Sequence, residues 1–534
     1  MPPESGNPLP EKSSKHTKSP RPDKYNRIIS PNNYFHSNFN FHNFTKRYSY
    51  VSIHPRSCLI IFIIALQISL LTLSYYHPFF LSRRRLNHHP PTLPAAADPI
   101  SAEPIFASNS RNINSVNSTS SLTHSRPHQS GCELGKFYVY DLPAEFNVDI
   151  HKNCNKLSPF GSRCSAFSNN GFGLPAVEIN NAIPGSLANT WYWTDQFSSE
   201  ILFHNRLLNH KCRTLTAESA AAYYIPFYAG LEVGKFLWGD TSVKERDAHC
   251  EMMLHYIERL FPYFNQSNGW DHFLVMGRIT WDFRRTKDED WGSKCIHMSS
   301  MRNVTRLLIE RNPWDYLDVG VPYPTGFHPN TDSDVAMWQN FVLKRERNSL
   351  FCFVGGTRGL FRNDFRGLLL NQCKDSGGSC RIVDCSGTRC ANDTAGTTEI
   401  LETFLDSEFC LQPRGDSFTR RSIFECMIAG SIPVFFWRRS AYLQYEWFLP
   451  GEPESYSVFI HRDEVKNGTS IKNVLEKYSK DEVKKMREKV VEFIPKFIYA
   501  KPNNGLGTIK DAVDIAVDGV LRRIKEQKEN GFYW

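Results

Sequence analysis

The sequence predicts two α/β domains with mainly parallel sheets, carried behind a membrane-spanning segment and long polar tails. Three observations carry that prediction. The chain has 534 residues, more than one core of ordinary size uses. From Cys132 onward, short apolar runs alternate with longer amphipathic stretches, the signature of βα units. Residues 58–76, CLIIFIIALQISLLTLSYY, form one uncharged apolar stretch.

In chain order, residues 1–57 are rich in Pro, Ser, Asn, Lys and His with no apolar period, which predicts a disordered cytosolic tail. Cys58–Tyr76 has only Gln67 as a strongly polar residue, and at about 1.5 Å per residue it crosses most of a bilayer's hydrocarbon core. It starts too deep in the chain for a signal peptide, and Tyr75, Tyr76, His77 and Pro78 offer no small-residue cleavage site, so it reads as an uncleaved transmembrane signal anchor. Lys12, Lys15, Lys18, Arg21, Lys24, Arg27, Lys46, Arg47 and Arg56 outnumber Arg83, Arg84 and Arg85 beyond it. The positive-inside rule therefore puts the amino terminus in the cytosol and the rest in a lumen. Residues 77–131 are polar again and read as a disordered luminal stem.

The net charge of +8 belongs to the tail, because residues 1–90 hold twelve Lys/Arg against three Asp/Glu and leave −1 for the remainder. A near-neutral folded part argues against a nucleic-acid-binding surface. Thirteen of the fourteen cysteines follow the span, as do sequons at Asn117, Asn265, Asn303, Asn392 and Asn467, which fits an oxidising, glycosylating compartment. The odd number leaves at least one thiol free, buried or intermolecular. Cys373, Cys380, Cys385 and Cys390 lack the paired CxxC spacing of a zinc site and read as disulfides.

Folding is expected from Cys132. Strands are expected at Lys136–Tyr140, Ala221–Phe227, His272–Met276, Leu350–Val354, Glu408–Leu411, Ser431–Phe436 and Tyr456–Ile460. Helices are expected at Phe197–Leu208, Ala248–Leu260, Thr419–Ala429 and Asp481–Phe497, with Gly430 where a helix C′ glycine belongs. The charged stretch Lys344–Asn348 puts a boundary near 345, giving domains at 132–344 and 345–534. Two such domains across a cleft can hold a nucleotide on one side and an acceptor on the other.

The most informative segment is CLQPRGDSFTRRSIFECMIAGSIPVFF, Cys410–Phe436: strand, glycine-bearing turn, helix, strand. Backbone N–H groups and the positive end of a helix favour an anion at such a turn, and Gly415 permits close approach. Arg420 and Arg421 in the first helical turn oppose the dipole, a conflict that a bound diphosphate would resolve. Arg414, Gly415, Ser417, Arg420 and Arg421 are therefore the candidate anion site. The alternative is that the arginines are solvated or paired with Asp416 and Glu425. Glu425 can accept ribose hydroxyls or pair i, i+4 with Arg421.

This segment resembles the carboxy-terminal signature of the exostosin family of glycosyltransferases. WYWTDQF, YYIPFYAGLEVGKFLWG, HFLVMGRITWDFRR, PYPTGFHP and RRSIFECMIAGSIPVFF together resemble its plant xyloglucan galactosyltransferase branch, in consistent order over residues 132–525. The resemblance implies a GT-B type fold, two Rossmann-like domains facing a cleft, with an amino-terminal acceptor domain and a carboxy-terminal domain holding a UDP-sugar. It also implies no required metal, inversion at the anomeric carbon, and a single-pass type II protein of the Golgi membrane, with a Golgi glycosyltransferase complex as a possible partner. WRRSAYLQYEWFLPGEPESYSVFI is similar to the form that galactosylates an internal xylose of xyloglucan. A cousin in the branch transfers galacturonic acid, so UDP-galactose is the first expectation for the donor and UDP-galacturonic acid the second.

An inverting transfer needs a base for the acceptor hydroxyl and positive groups for the departing diphosphate. Carboxylates directly after strands are the base candidates: Asp282 first, Glu232 second, with a salt bridge from Asp282 to Arg284 or Arg285 as the competing reading. Of Trp191, Tyr192, Trp193, Trp238 and Trp281, one or two are expected to stack on acceptor sugars and the rest to fill the core; Trp191, Trp193 and Trp281 are the acceptor candidates.

Rival readings fit less well. Asp332, Ser333 and Asp334 spell a metal-binding Asp-x-Asp, but between PYPTGFHPN and VAMWQNFVLKR they read as the start of a helix. A glycoside hydrolase needs a carboxylate pair that no spacing identifies. A glycan-binding scaffold that kept the fold without turnover is the non-enzymatic alternative.

Overall fold

The computed structural model describes residues 131–531 apart from 160, 239, 358–363, 386–389 and 391–393. The expected cytosolic tail, the 58–76 anchor, the stem up to residue 130, Asn117 and Asn392 lie outside the described residues. Among the described residues no helix is long and apolar enough to cross a membrane.

Strands β1 (Phe137–Val139), β2 (Arg213–Thr214), β3 (Ala222–Tyr224), β4 (His272–Val275), β5 (Thr305–Leu308) and β6 (Asp318–Gly320) make one sheet in the order β2-β1-β3-β4-β5-β6, every pair parallel. A second parallel sheet contains β7 (Ser349–Val354), β8 (Cys380–Val383), β9 (Ser407–Gln412), β10 (Ile432–Phe435) and β11 (Val458–Phe459) in the order β8-β7-β9-β10-β11. Both follow the 2-1-3-4-5 order of doubly wound sheets, which puts a topological switch point between β1 and β3 and another between β7 and β9.

All seven expected strands are present. β2, β5, β6 and β8 were not expected: β2 is a two-residue edge, and β5, β6 and β8 are short and interrupt their apolar residues with a charge. Arg306 of β5 and Asp318 of β6 are fully buried and paired, Nε to Oδ1 at 2.7 Å.

The helices that matter here are α1 (Ser199–Leu208), α2 (Ala229–Gly234), α3 (Val243–Leu260), α4 (Asp332–Lys344), α5 (Phe365–Asp375), α6 (Thr394–Leu405), α7 (Arg421–Ile428), α8 (Lys480–Phe493) and α9 (Ala512–Glu529). α3 starts five residues before the expected Ala248 because Ser242 and Glu245 form a capping box there. α4 begins at the Asp-x-Asp spelling. Thr331 is the N-cap, Asp334 closes a capping box, and Asp332 accepts the Thr508 amide at 2.7 Å, so both carboxylates serve local structure. α7 ends in a Schellman motif: Gly430 has φ +69°, its amide donates to Met427, and Ser431 donates to Cys426.

α9 lies within the expected 345–534 unit but packs on the first sheet. Its apolar face, Val513, Ala516, Val517 and Val520, joins the core formed by Phe137, Phe203 and Phe273, so the carboxy terminus returns to the first sheet. The same core takes in Phe424, Tyr445 and Phe497 from the second half, and apolar packing on that scale holds the halves together rather than leaving a free hinge.

Among the described residues six disulfides join Cys132–Cys212, Cys154–Cys164, Cys250–Cys295, Cys373–Cys380, Cys385–Cys390 and Cys410–Cys426. The four-cysteine cluster is thus two disulfides, and the thiol left over among the described residues is Cys352, buried in β7, where burial pushes its pKa up to about 12.

Candidate active site

The carboxyl ends of the two sheets meet. Residues after β5 dock on the segment after β10: Tyr445 Oη donates to the Ile309 carbonyl at 2.9 Å, and Arg311 Nε to that of Leu443 at 2.8 Å. Backbones approach so closely that a β-carbon on Gly320 would lie 2.1 Å from the Gln444 carbonyl oxygen, so only glycine fits.

At the switch point between β7 and β9, the turn Arg414–Phe418 gathers four guanidinium groups. A β-carbon built on Gly415 would sit 3.0 Å from an Arg420 nitrogen and 3.2 Å from one of Arg366. Arg414 and Arg439 lie over the Phe418 ring at 4.6 and 4.3 Å. Arg366 comes from the first turn of α5, Arg439 from the segment after β10, and neither was a sequence candidate. Arg439 was legible by the strand-end reasoning applied to Gly415, since it follows closely on β10; Arg366, on a helix well past the end of β7, was not.

Arg421 does not join this group. It donates to the Thr194 carbonyl at 2.5 Å and pairs with Glu425 at 2.6 Å, the i, i+4 alternative that helical spacing allowed. Ser417 also turns away: its hydroxyl donates to Glu310 at 2.5 Å. The same Glu310 oxygen accepts the Thr419 amide at 2.8 Å and the Thr419 hydroxyl at 2.7 Å. The anion at the amino end of α7 is therefore a carboxylate of the protein, which answers the dipole conflict read from the sequence. Burial pushes the Glu310 carboxyl up, while the Ser417 and Thr419 bonds and the Arg439 charge act the other way.

On the amino-terminal side, Asp282 lies buried in the turn after β4. It accepts from Arg278 Nε at 2.7 Å and Trp291 Nε1 at 2.8 Å. Its ionic partner is thus Arg278; Arg284 pairs with Asp315 and Asp318, and Arg285 with Asp247 and Asp288. Glu232, on α2, pairs with Lys235 and with His249 Nδ1 at 3.0 Å. Burial alone would raise the Glu232 pKa, but His249 and Lys235 outweigh it and hold the carboxyl below its usual range.

Glu200 of α1 was not foreseen. It is 1% exposed and accepts the Gly230 and Leu231 amides at 2.6 and 3.0 Å, capping α2. Burial pushes its pKa up to about 8 against those two bonds and the Arg278 charge.

Of the tryptophans, Trp191 is a core residue, packed on Phe327 and edge-on to Trp338 at 4.9 Å. That removes it from the acceptor candidates, since a ring only 7% exposed leaves no open face for a sugar. Trp193 is half-buried, its Nε1 donating to Glu178 at 3.1 Å. Trp281, beside Asp282, is 52% exposed. Among the described residues no group of three or more His, Cys, Asp or Glu is arranged to hold a metal ion.

The family model described as the Exostosin GT47 domain matches residues 131–476. Xyloglucan galactosyltransferase XLT2 of Arabidopsis thaliana is 63% identical over 404 residues, covering 76% of this chain and 77% of that protein. Xyloglucan galactosyltransferase MUR3 of the same plant is 40% identical over 401 residues, 74% of this chain and 63% of MUR3. Its xyloglucan-specific galacturonosyltransferase 1 is 38% identical over 408 residues, 76% of this chain and 59% of that protein.

Proposed function

Because the chain belongs to the exostosin GT47 family, we propose that it is an inverting glycosyltransferase that moves galactose from UDP-galactose onto xylosyl side chains of xyloglucan. The observation that carries this reading is the 63% identity to a xyloglucan galactosyltransferase across three quarters of the chain. The guanidinium cluster at a switch point supports it, because that is where doubly wound sheets bind nucleotides.

Arg366, Arg414, Arg420 and Arg439 hold the donor diphosphate against the Gly415 backbone, with Glu425 at the edge of the site toward the ribose. These cations take the charge of the leaving group, the role a metal ion fills in other transferases, so none is required. Asp282 is the base. A carboxylate has about four lone-pair positions, so its bonds to Arg278 and Trp291 orient it and leave capacity for an acceptor hydroxyl. The acceptor oxygen attacks the anomeric carbon, its proton passes to Asp282, and the bond to the diphosphate breaks with its electron pair leaving on UDP. Trp281, exposed beside this turn, offers its face to an acceptor sugar. The facing domains constitute a GT-B type arrangement, and residues 58–76 anchor the protein as type II in the Golgi membrane.

The test offers the full-length chain UDP-galactose, UDP-galacturonic acid and UDP-glucose with xylosylated glucan oligosaccharides, with and without a chelator. Galactose transfer that resists chelation and disappears in Asp282→Asn while UDP still binds is the expected result. Transfer from UDP-galacturonic acid alone would keep the mechanism and change the sugar. Absence of UDP binding would leave a scaffold.

A further inference from the structure

We propose that Glu310 is a positioning residue that sets the donor turn from the opposite domain, aligning two of the arginines assigned to the diphosphate. The proposal rests on the donor reading above. It starts from placement: Glu310 follows β5 in the first sheet, yet its side chain is spent on the turn after β9 in the second. One oxygen, Oε2, takes three donors, at 2.5 Å from Ser417 Oγ, 2.8 Å from Thr419 N and 2.7 Å from Thr419 Oγ1. Tyr323, also from the first half, meets the Thr419 hydroxyl at 3.1 Å.

Those bonds fall on residues 417 and 419, so the residue between them, Phe418, has its backbone pinned on both sides. Its ring is the surface on which Arg414 and Arg439 lie. Fixing the ring fixes where two guanidinium groups can rest. At its other end, Glu310 accepts the Thr280 amide on its own carbonyl at 2.9 Å. Thr280 opens the turn that carries Asp282. One residue thereby ties the turn holding the proposed base to the turn holding the proposed donor cations. A carboxylate at 2% exposure is retained at a desolvation cost that a surface contact does not carry.

The experiment measures UDP affinity and donor and acceptor KM for the full-length chain, with thermal melting run on every variant. Glu310→Ala leaves three donors without an acceptor, and it is expected to weaken UDP binding and raise donor KM by about tenfold or more, with acceptor KM unchanged. Glu310→Gln keeps an acceptor oxygen at the same reach and should recover most of the affinity. Glu310→Asp, one methylene short, should not. Thr419→Val, which removes one donor from the far side, should move UDP affinity in the same direction by a factor of about three and tests the idea if Glu310→Ala does not fold. Arg311→Ala loosens the neighbouring contacts to Leu443 and Glu446 and should leave UDP affinity near wild type. Wild-type UDP affinity in folded Glu310→Ala or in Thr419→Val, or an equal loss in Arg311→Ala, would overturn the proposal while the donor reading stands. A wild-type chain that binds no UDP removes both.

Discussion

At Glu200 the fold holds a carboxyl where water cannot reach it, and the consequence is a pH dependence with a definite sign. Its ordinary value is 4.5 and burial pushes it to about 8. Between those values the folded chain keeps a proton that the unfolded chain releases, so the burial costs nothing below 4.5, and stability falls as pH rises through the window. Glu200→Gln cannot titrate. We expect wild type to lose stability relative to this variant between pH 5 and 8, by up to about 1.4 kcal/mol per pH unit at the steepest point. Urea unfolding of both chains at the two pH values measures it, and parallel curves would show that the amide bonds from Gly230 and Leu231 keep the carboxyl ionised instead.

The turn after β9 shows how far an element could be read ahead of the structure. CLQPRGDSFTRRSIFECMIAGSIP was legible as strand, turn, helix and Gly430 cap because each rests on local chemistry: an apolar run, a glycine, an amphipathic period. Gly415 and Arg414 were placed by the same logic. What was not legible is set from another part of the chain. Glu310 lay hidden because β5 carries the buried Arg306 and did not read as a strand, so the strand-end reasoning that found Asp282 never reached it. Trp191 was misassigned because an indole that stacks on a sugar and one that packs edge-on against Trp338 in the core look alike in sequence. Gly415 also yields a prediction. A methyl group there would meet the far ends of Arg420 and Arg366, flexible groups that can move aside. Gly415→Ala should therefore cost under about 1 kcal/mol of stability, while displacing two guanidinium groups and weakening UDP binding several-fold. A calorimetric titration beside a thermal melt separates the two effects, and a large melt shift with intact binding would contradict the assignment.

Across the whole molecule the chain closes on itself, because α9 ends the second half by covering the first sheet. Sequence order hid this, since nothing in the amphipathic pattern of 512–529 names the surface it packs on. The join is polar as well as apolar. Arg206, 3% exposed on α1, reaches Asp511 at 3.3 Å and Asp514 at 3.2 Å. Asp511 is fully buried and also accepts the amides of Ala500, Val513 and Asp514. Burial pushes the Asp511 carboxyl up and Arg206 holds it down. Removing the arginine strands a buried charge, so Arg206→Ala should destabilise the chain by about 3–5 kcal/mol. Arg206→Met with Asp511→Asn removes both charges together and should recover much of that loss, which a double-mutant cycle on unfolding free energy would register. Hydrogen exchange then tells whether α9 is an appendage or part of the first sheet's cooperative unit. If exchange in Arg206→Ala rises in Ala512–Glu529 and also in Phe137–Val139 and Ala222–Tyr224, the carboxy terminus is integral to the amino-terminal fold. A rise confined to α9 would mean that the first sheet stands without it.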